Sequence, residues 1–125
     1  MEITAIAPPG RQIIESYGAG RFRVSGCVYD GGIIVTPDET FGWPVATFSQ
    51  VTFESFSALL ARQQLPELLL LGCGTDMALP DPALRAALRA RGILLESMAS
   101  GAACRTYNVL MGEERFVAAA LIAVD

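Results

Sequence analysis

Arg105, Thr106, Tyr107 and Asn108 stand in direct succession inside an otherwise apolar segment. A guanidinium, two hydroxyls and an amide in a row could grip a ligand anion or a partner's backbone. The guanidinium fork is bidentate, and the amide both donates and accepts. On a helix, Arg105 and Asn108 are three positions apart and so are neighbours on one face. Ala103, Thr106, Tyr107, Leu110 and Met111 share another side, read as the core side. The plainer alternative is that Arg105 and Asn108 pin adjacent loops by hydrogen bonds. Arg105 also has Glu113, Glu114 or Asp76 as acidic partners to consider.

The loop Gly72, Cys73, Gly74, Thr75 is a second candidate. It follows an apolar strand, where open parallel sheets bind their ligands. Two glycines admit a close backbone approach, and Cys73 is read as a thiol open to solvent. A dinucleotide fingerprint would need a third glycine where Met77 stands. It would also need a helix starting inside the motif. Cys73 has no His to activate it, which leaves only a helix N-terminus or an Arg to lower its pKa. The alternative is a tight strand-to-helix connection. Trp43, between Gly42 and Pro44, is either an interface anchor or a cover for one core edge. Among the carboxylates, Asp38-Glu39 and Glu113-Glu114 sit beside turn residues and read as solvated. No cluster has metal-ligand spacing, and no cofactor is implied.

Composition narrows the chemistry further. All nine basic residues are Arg, and there is no His. That excludes, within one chain, a Ser-His-Asp triad, a Cys-His dyad, a His metal site, a Schiff-base lysine and a Walker lysine. A net charge of −4 argues against nucleic acid, which needs a basic footprint. Hydrophobic residues make up 52% and charged residues 18%, so some apolar surface is available for a partner. Cys27, Cys73 and Cys104 are odd in number and lie far apart, which favours free thiols in a reducing compartment. The segment Met1-Glu2-Ile3-Thr4 lacks a basic n-region, and no apolar run is long enough to span a bilayer. These features predict a cytoplasmic location with no membrane span.

The elements that must hold these residues are visible in the patterning. Residues 12–17, 22–29, 33–36 and 44–48 read as short strands, separated by turn signals at Gly18-Ala19-Gly20, Asp30-Gly31-Gly32 and Thr36-Pro37-Asp38. Thr52 can cap a helix running to about residue 64, with Phe56, Leu59 and Leu60 on one face and Pro66 beyond it. Residues 67–71 form an apolar strand of the kind buried on both faces. Asp81 caps a second helix with Pro82 in its first turn, Leu84, Ala87 and Leu88 as its buried stripe, and Gly92 at its end. Residues 93–98 form a strand. Ser100 is read as the cap of a third helix ending near Gly112, and residues 116–124 form the last strand. The order predicts one domain over residues 1–125 of the α/β class. Its sheet should be mostly parallel in the second half, with helices packed on it.

Taken together, particular residues resemble a known family. They are Phe22-Arg23-Val24-Ser25-Gly26, Trp43-Pro44-Val45, Leu69-Leu70-Leu71-Gly72-Cys73-Gly74-Thr75, Gly92-Ile93, Met98, the run from Ala103 to Leu110, Glu114-Arg115 and Ala118 to Ile122. The chain is similar to small uncharacterised bacterial and archaeal proteins whose family includes a mitochondrial respiratory complex I (NADH dehydrogenase) assembly factor. The resemblance implies a three-layer fold with a mixed central sheet, flanking helices and a β-rich N-terminal layer. It implies a non-catalytic assembly or interaction role, with subunits or assembly factors of a membrane respiratory complex as partners. It implies no established activity for bacterial members, among which this chain is placed. Cys73 between the loop glycines and Ser100-Gly101 depart from the expected pattern. The alternative function is binding or turnover of a small anionic ligand by the Gly72–Thr75 loop with Arg105 and Asn108.

Overall fold

Two tight turns shape the first part of the chain, seen in a computed structural model that describes residues 2–3, 10–113 and 115–125. Strand β1 (Ile14–Gly18) and β2 (Arg21–Val24) pair antiparallel across Ala19-Gly20. Strand β3 (Cys27–Asp30) returns across Ser25-Gly26. All four turn residues have positive φ, from +46° at Ser25 to +86° at Gly26. Positive φ at both central residues gives the twist that two-residue hairpins require. The sequence pattern predicts one strand over residues 22–29. The structure corrects this to a hairpin, and the Ser-Gly dipeptide was the overlooked signal.

The second sheet has the order β5-β4-β8-β6-β7. Its strands are β4 (Ile33–Val35), β5 (Thr40–Gly42), β6 (Leu68–Gly72), β7 (Leu94–Met98) and β8 (Val117–Leu121). β7, β6 and β8 run parallel, while β4 is antiparallel to both β8 and β5. The expected mixed sheet, parallel in its second half, is what forms. A strand over residues 44–48 does not form. Pro44 has no N–H for a ladder, and Val45 N–H turns back onto Trp43 O at 2.8 Å. The hairpin partner of β4 lies earlier, at β5.

Helix α1 is shorter than predicted. A 3₁₀ turn at Glu54–Phe56 leads into α1 (Ser57–Leu60), and the chain then turns rather than continuing to residue 64. Thr52 Oγ1 does accept from Ser55 N–H at 3.2 Å, but the Ser55 hydroxyl donates back to Thr52 O at 2.6 Å. This local loop competes with a regular helix start. Beyond α1, Arg62 is drawn to Asp38 at 2.7 Å and Glu39 at 2.5 Å, on the β4–β5 turn. The predicted inner face holds: Phe56 and Leu59 are buried and Leu60 packs on the core. Helix α2 (Pro82–Arg89) follows its signals closely, with Asp81 Oδ1 accepting from Ala83 N–H at 2.9 Å and Pro82 in the first turn.

Helix α3 (Ser100–Gly112) and the β1–β3 sheet cover one face of the large sheet. α1 and α2 cover the other. Two cores result. Leu69, Leu71, Leu84, Leu88 and Leu95 belong to the first, and Ile14, Phe22, Leu70, Tyr107 and Met111 to the second. β6 contributes to both by alternation, so its run of leucines is buried on both faces. The chain is therefore a three-layer mixed α/β fold.

Candidate functional site

The Arg-Thr-Tyr-Asn run lies across α3 and divides by direction. Tyr107 is fully buried, and its hydroxyl donates to Gln12 O at 2.9 Å. Asn108 is 5% exposed. Its Oδ1 accepts from Ile14 N–H at 3.0 Å, and its Nδ2 donates to Ile14 O at 2.8 Å. One amide side chain thus satisfies both backbone groups at the start of β1, as a neighbouring strand would. Thr106 is half-buried, and Arg105 is exposed. Arg105 Nη1 reaches Tyr17 Oη at 3.4 Å, and none of the ion pairs among the described residues includes it. The partners considered for it, Glu113 and Asp76, are not engaged, and Glu114 lies outside the described residues. Asn108 does not sit beside Arg105 as a paired grip. It is turned inward to pin β1, while Arg105 faces water.

The start of α3 is packed closely against its surroundings. A Cβ on Gly101 would lie 2.3 Å from Tyr17 Oη, so only glycine admits the ring. Ser100 does not cap the helix as read from the sequence. Ala99 is the N-cap, and Ser100 is the first helical residue and fully buried. Its hydroxyl donates to Ile122 O at 2.6 Å and accepts from Gly74 N–H at 3.0 Å.

That contact decides how the Gly72–Thr75 loop is used. Cys73 N–H donates to Met98 O, Ser100 N–H donates to Gly74 O, and Ile122 N–H donates to Gly72 O, all at 2.8–3.0 Å. The loop therefore stitches the carboxyl ends of β6, β7 and β8 to α3. A Cβ on Gly72 would meet Leu121 Cδ2 at 2.8 Å and Ser100 Cα at 3.0 Å, so this glycine makes room for α3. Cys73 is buried rather than open to solvent, with Sγ 3.6 Å from Leu71 O and Ala78 O, and burial pushes its thiol pKa up. Thr75 is exposed. Cys104 is fully buried and its thiol is pushed up to about 12 by burial. Neither thiol is poised as a nucleophile.

Trp43 covers the core edge. It is 3% exposed, stacks on Phe56 with ring centroids 5.5 Å apart, and donates from Nε1 to Ser55 O at 2.7 Å. Its outer edge still borders an open groove of about 670 Å³ with Gly32, Pro44, Val45 and Ala123. Trp43 O, Val45 O and Leu121 O crowd the place where a Gly32 Cβ would stand, at 2.8–3.0 Å. Among the described residues no group of His, Cys, Asp or Glu is arranged to hold a metal ion, and no helix is long and apolar enough to cross a membrane.

Tyr17, and the packing roles of Ser100 and Gly101, are not foreseen in the sequence. Only the small residues at positions 100–101, ahead of an apolar helix, hinted at so close an approach.

Fold and site together define a small three-layer mixed α/β protein whose polar helix run is largely built into its own frame. The chain belongs to the family described as a protein of unknown function (DUF498/DUF598), whose model matches residues 14–122. It is 37% identical over 109 residues to an uncharacterized protein of Rhodobacter capsulatus, across 87% of this chain and 82% of that one. It is 32% identical over 114 residues to NADH dehydrogenase (ubiquinone) 1 alpha subcomplex assembly factor 3 of Bos taurus, across 91% of this chain and 62% of that protein. The chain thus spans less than two thirds of that eukaryotic relative's length. Among solved structures, one described as an outer membrane protein from Bartonella henselae superposes with a TM-score of 0.84 at 38% identity, covering 94% of this chain and 98% of that one. A Bordetella pertussis protein described as a Mth938-like domain gives 0.80 at 27% identity, covering 98% and 92%. The family resemblance read from the sequence is borne out.

Proposed function

We propose that this chain is a non-catalytic interaction protein that helps assemble a membrane respiratory complex of the complex I type. The observation that carries the reading is the 32% identity to a complex I assembly factor, which runs through 91% of this chain. The side-chain geometry supports it. The polar groups that could have formed a ligand grip are taken up by backbone partners, Asn108 on Ile14 and the Gly72–Gly74 segment on Ser100, Met98 and Ile122. The alternative, an anion site made by that loop with Arg105 and Asn108, is left without most of its donors. Arg105 remains as the exposed member of the run, and it is the residue we assign to a partner's carboxylate or carbonyl. Three free thiols, of which only Cys27 is exposed, favour work in the reducing cytoplasm.

Gene deletion in a host that carries complex I tests this reading. Native gels should show assembly intermediates accumulating and NADH:ubiquinone activity falling, with rescue by the wild-type gene. Unchanged complex levels and activity would sink the assembly role. Arg105→Ala should fold normally and rescue poorly; full rescue would remove Arg105 from the contact.

A further inference from the structure

Parallel strands are ordinarily covered on both faces of their sheet. β7 runs parallel to β6 but is covered on one face. Ile93 and Leu95 turn to the core they share with Leu84 and Leu88 of α2. Alternation sends Leu94, Glu96 and Met98 to the α3 side, in register with Leu68, Leu70 and Gly72 of β6. Among the described residues, α3 borders this face of β7 without covering it. Leu94 is 40% exposed, Glu96 is exposed, and Leu68 and Met98 are partly buried.

The position of α3 accounts for the gap. One flank of the helix is held against β1, by Asn108 on Ile14 and by Gly101 against the Tyr17 ring. Tyr107 and Met111 share a core with Leu70 of β6 and with Val117 and Ala119 of β8. The opposite flank carries Thr106 and Leu110, one turn apart and both half-buried. Helices packed side by side stand about 8–10 Å apart, roughly two of the strand spacings in a sheet. A second helix laid beside α3 therefore comes down over β7. It would cover the apolar strip made by Leu68, Leu94, Met98 and Leu110.

Charge decides what kind of helix. The charged side chains bordering the strip are Glu96 on β7, Glu113 at the end of α3, and Glu67 and Arg115 just before β6 and β8. Three carboxylates against one guanidinium leave −2. Glu67 and Arg115 pair with each other at 3.4 Å. None of the ion pairs among the described residues includes Glu96 or Glu113. The other nearby arginines are turned away. Arg105 reaches Tyr17 on the β1 flank, Arg91 reaches Leu60 O on the α1 side, and Arg85 and Arg89 line a recess on the α2 side.

We infer that this strip is a docking surface for an amphipathic helix of another protein, with lysine or arginine on its polar face. The helix lies beside α3, sets its apolar stripe on Leu94, Met98 and Leu110, and brings a cation to Glu96. The inference rests on the reading of the chain as an interaction protein and names the kind of segment it takes. Two copies joined through the strip would bring like carboxylates together, so self-pairing is disfavoured. An anionic lipid surface is repelled for the same reason.

Amide and methyl NMR titration of the intact chain tests this. The probe is a synthetic helical peptide with a leucine stripe and a lysine face. The controls are the same peptide with glutamate for lysine, and a scrambled peptide that lacks the stripe. The lysine peptide should give saturable shifts centred on Leu94, Glu96, Met98, Thr106 and Leu110. Both controls should bind at least about tenfold more weakly. Glu96→Lys, at an exposed position, should weaken the lysine peptide by a similar factor while shifts remote from β7 stay unchanged. Leu94→Ala is the second variant, should Glu96→Lys fail to fold, and it should also weaken binding. Shifts centred elsewhere, no shifts, equal binding of either control, or variants that bind as wild type would overturn the docking surface. So would sedimentation showing a dimer that Glu96→Lys dissolves. The deletion phenotype is read separately. A normal rescue by Glu96→Lys with a positive deletion phenotype overturns this surface and leaves the assembly role standing. A null deletion phenotype with specific peptide binding removes the assembly role and leaves the surface.

Discussion

Asn108 pairs with both backbone groups of Ile14 inside the core. Asn108→Ala would strand a buried N–H and a buried C=O, and should cost about 2–4 kcal/mol in urea unfolding. Arg105→Ala should stay within about 0.5 kcal/mol of wild type, as exposed surface changes usually do. A large loss from Arg105→Ala together with a small loss from Asn108→Ala would reverse the roles assigned to them. The cysteines give a second check at this scale. Cys27 is exposed, while Cys73 and Cys104 are buried with raised thiol pKa values. At mildly alkaline pH a thiol reagent should label Cys27 alone in the native protein and all three after denaturation. Rapid native labelling of Cys73 would show that the loop is open.

At the scale of elements, the stitch of three segments at Ser100 is the critical joint. Its hydroxyl joins the end of β8, through Ile122 O, to the loop after β6, through Gly74 N–H. Ser100→Ala leaves both backbone groups buried without that partner and should lower stability by about 2–4 kcal/mol. Asp81→Ala removes only the α2 N-cap at an exposed site and should cost about 1 kcal/mol. Urea midpoints for the two variants order them directly. Equal losses would mean that the joint is solvated. The patterning already contained α2, because its Asp-Pro start, its leucine stripe and its terminal glycine are local signals that agree. It did not contain the early end of α1, where Arg62 leaves the helix path to meet Asp38 and Glu39 on a distant turn.

Across the whole molecule, pH acts through that same turn. The Thr36 hydroxyl donates to Asp38 at 2.7 Å, and with the Arg62 guanidinium it holds the Asp38 carboxyl below its usual range against partial burial. A carboxylate whose pKa is lowered by folding stabilises the native state above its unfolded value, about 3.9. That contribution is lost as pH falls from there through the lowered native value. Asp38→Asn should therefore lower stability at neutral pH by about 1 kcal/mol or less, since Asp38 itself is largely exposed to solvent screening. It should also make the acid limb of the stability curve slightly shallower. A variant with the same acid dependence as wild type would show that Asp38 titrates alike in both states.

Local patterning was enough for the α/β class, the parallel second half of the large sheet, the limits of α2 and the family. Those follow from local periodicity, from caps and from residue types quoted in order. The absence of His and Lys likewise excluded whole classes of catalysis without any structure. It could not say which way the Arg-Thr-Tyr-Asn run faces. Residues three apart are neighbours on any helix, and the flank that is buried depends on where β1 lies. Only the tertiary structure placed β1 against Asn108 and Tyr107, closed the Gly72–Gly74 segment onto Ser100, and left Arg105 in water. These contacts join residues as far apart in sequence as Gln12 and Tyr107. A buried backbone group must find a partner wherever the fold brings one, and that requirement is settled in space rather than along the chain.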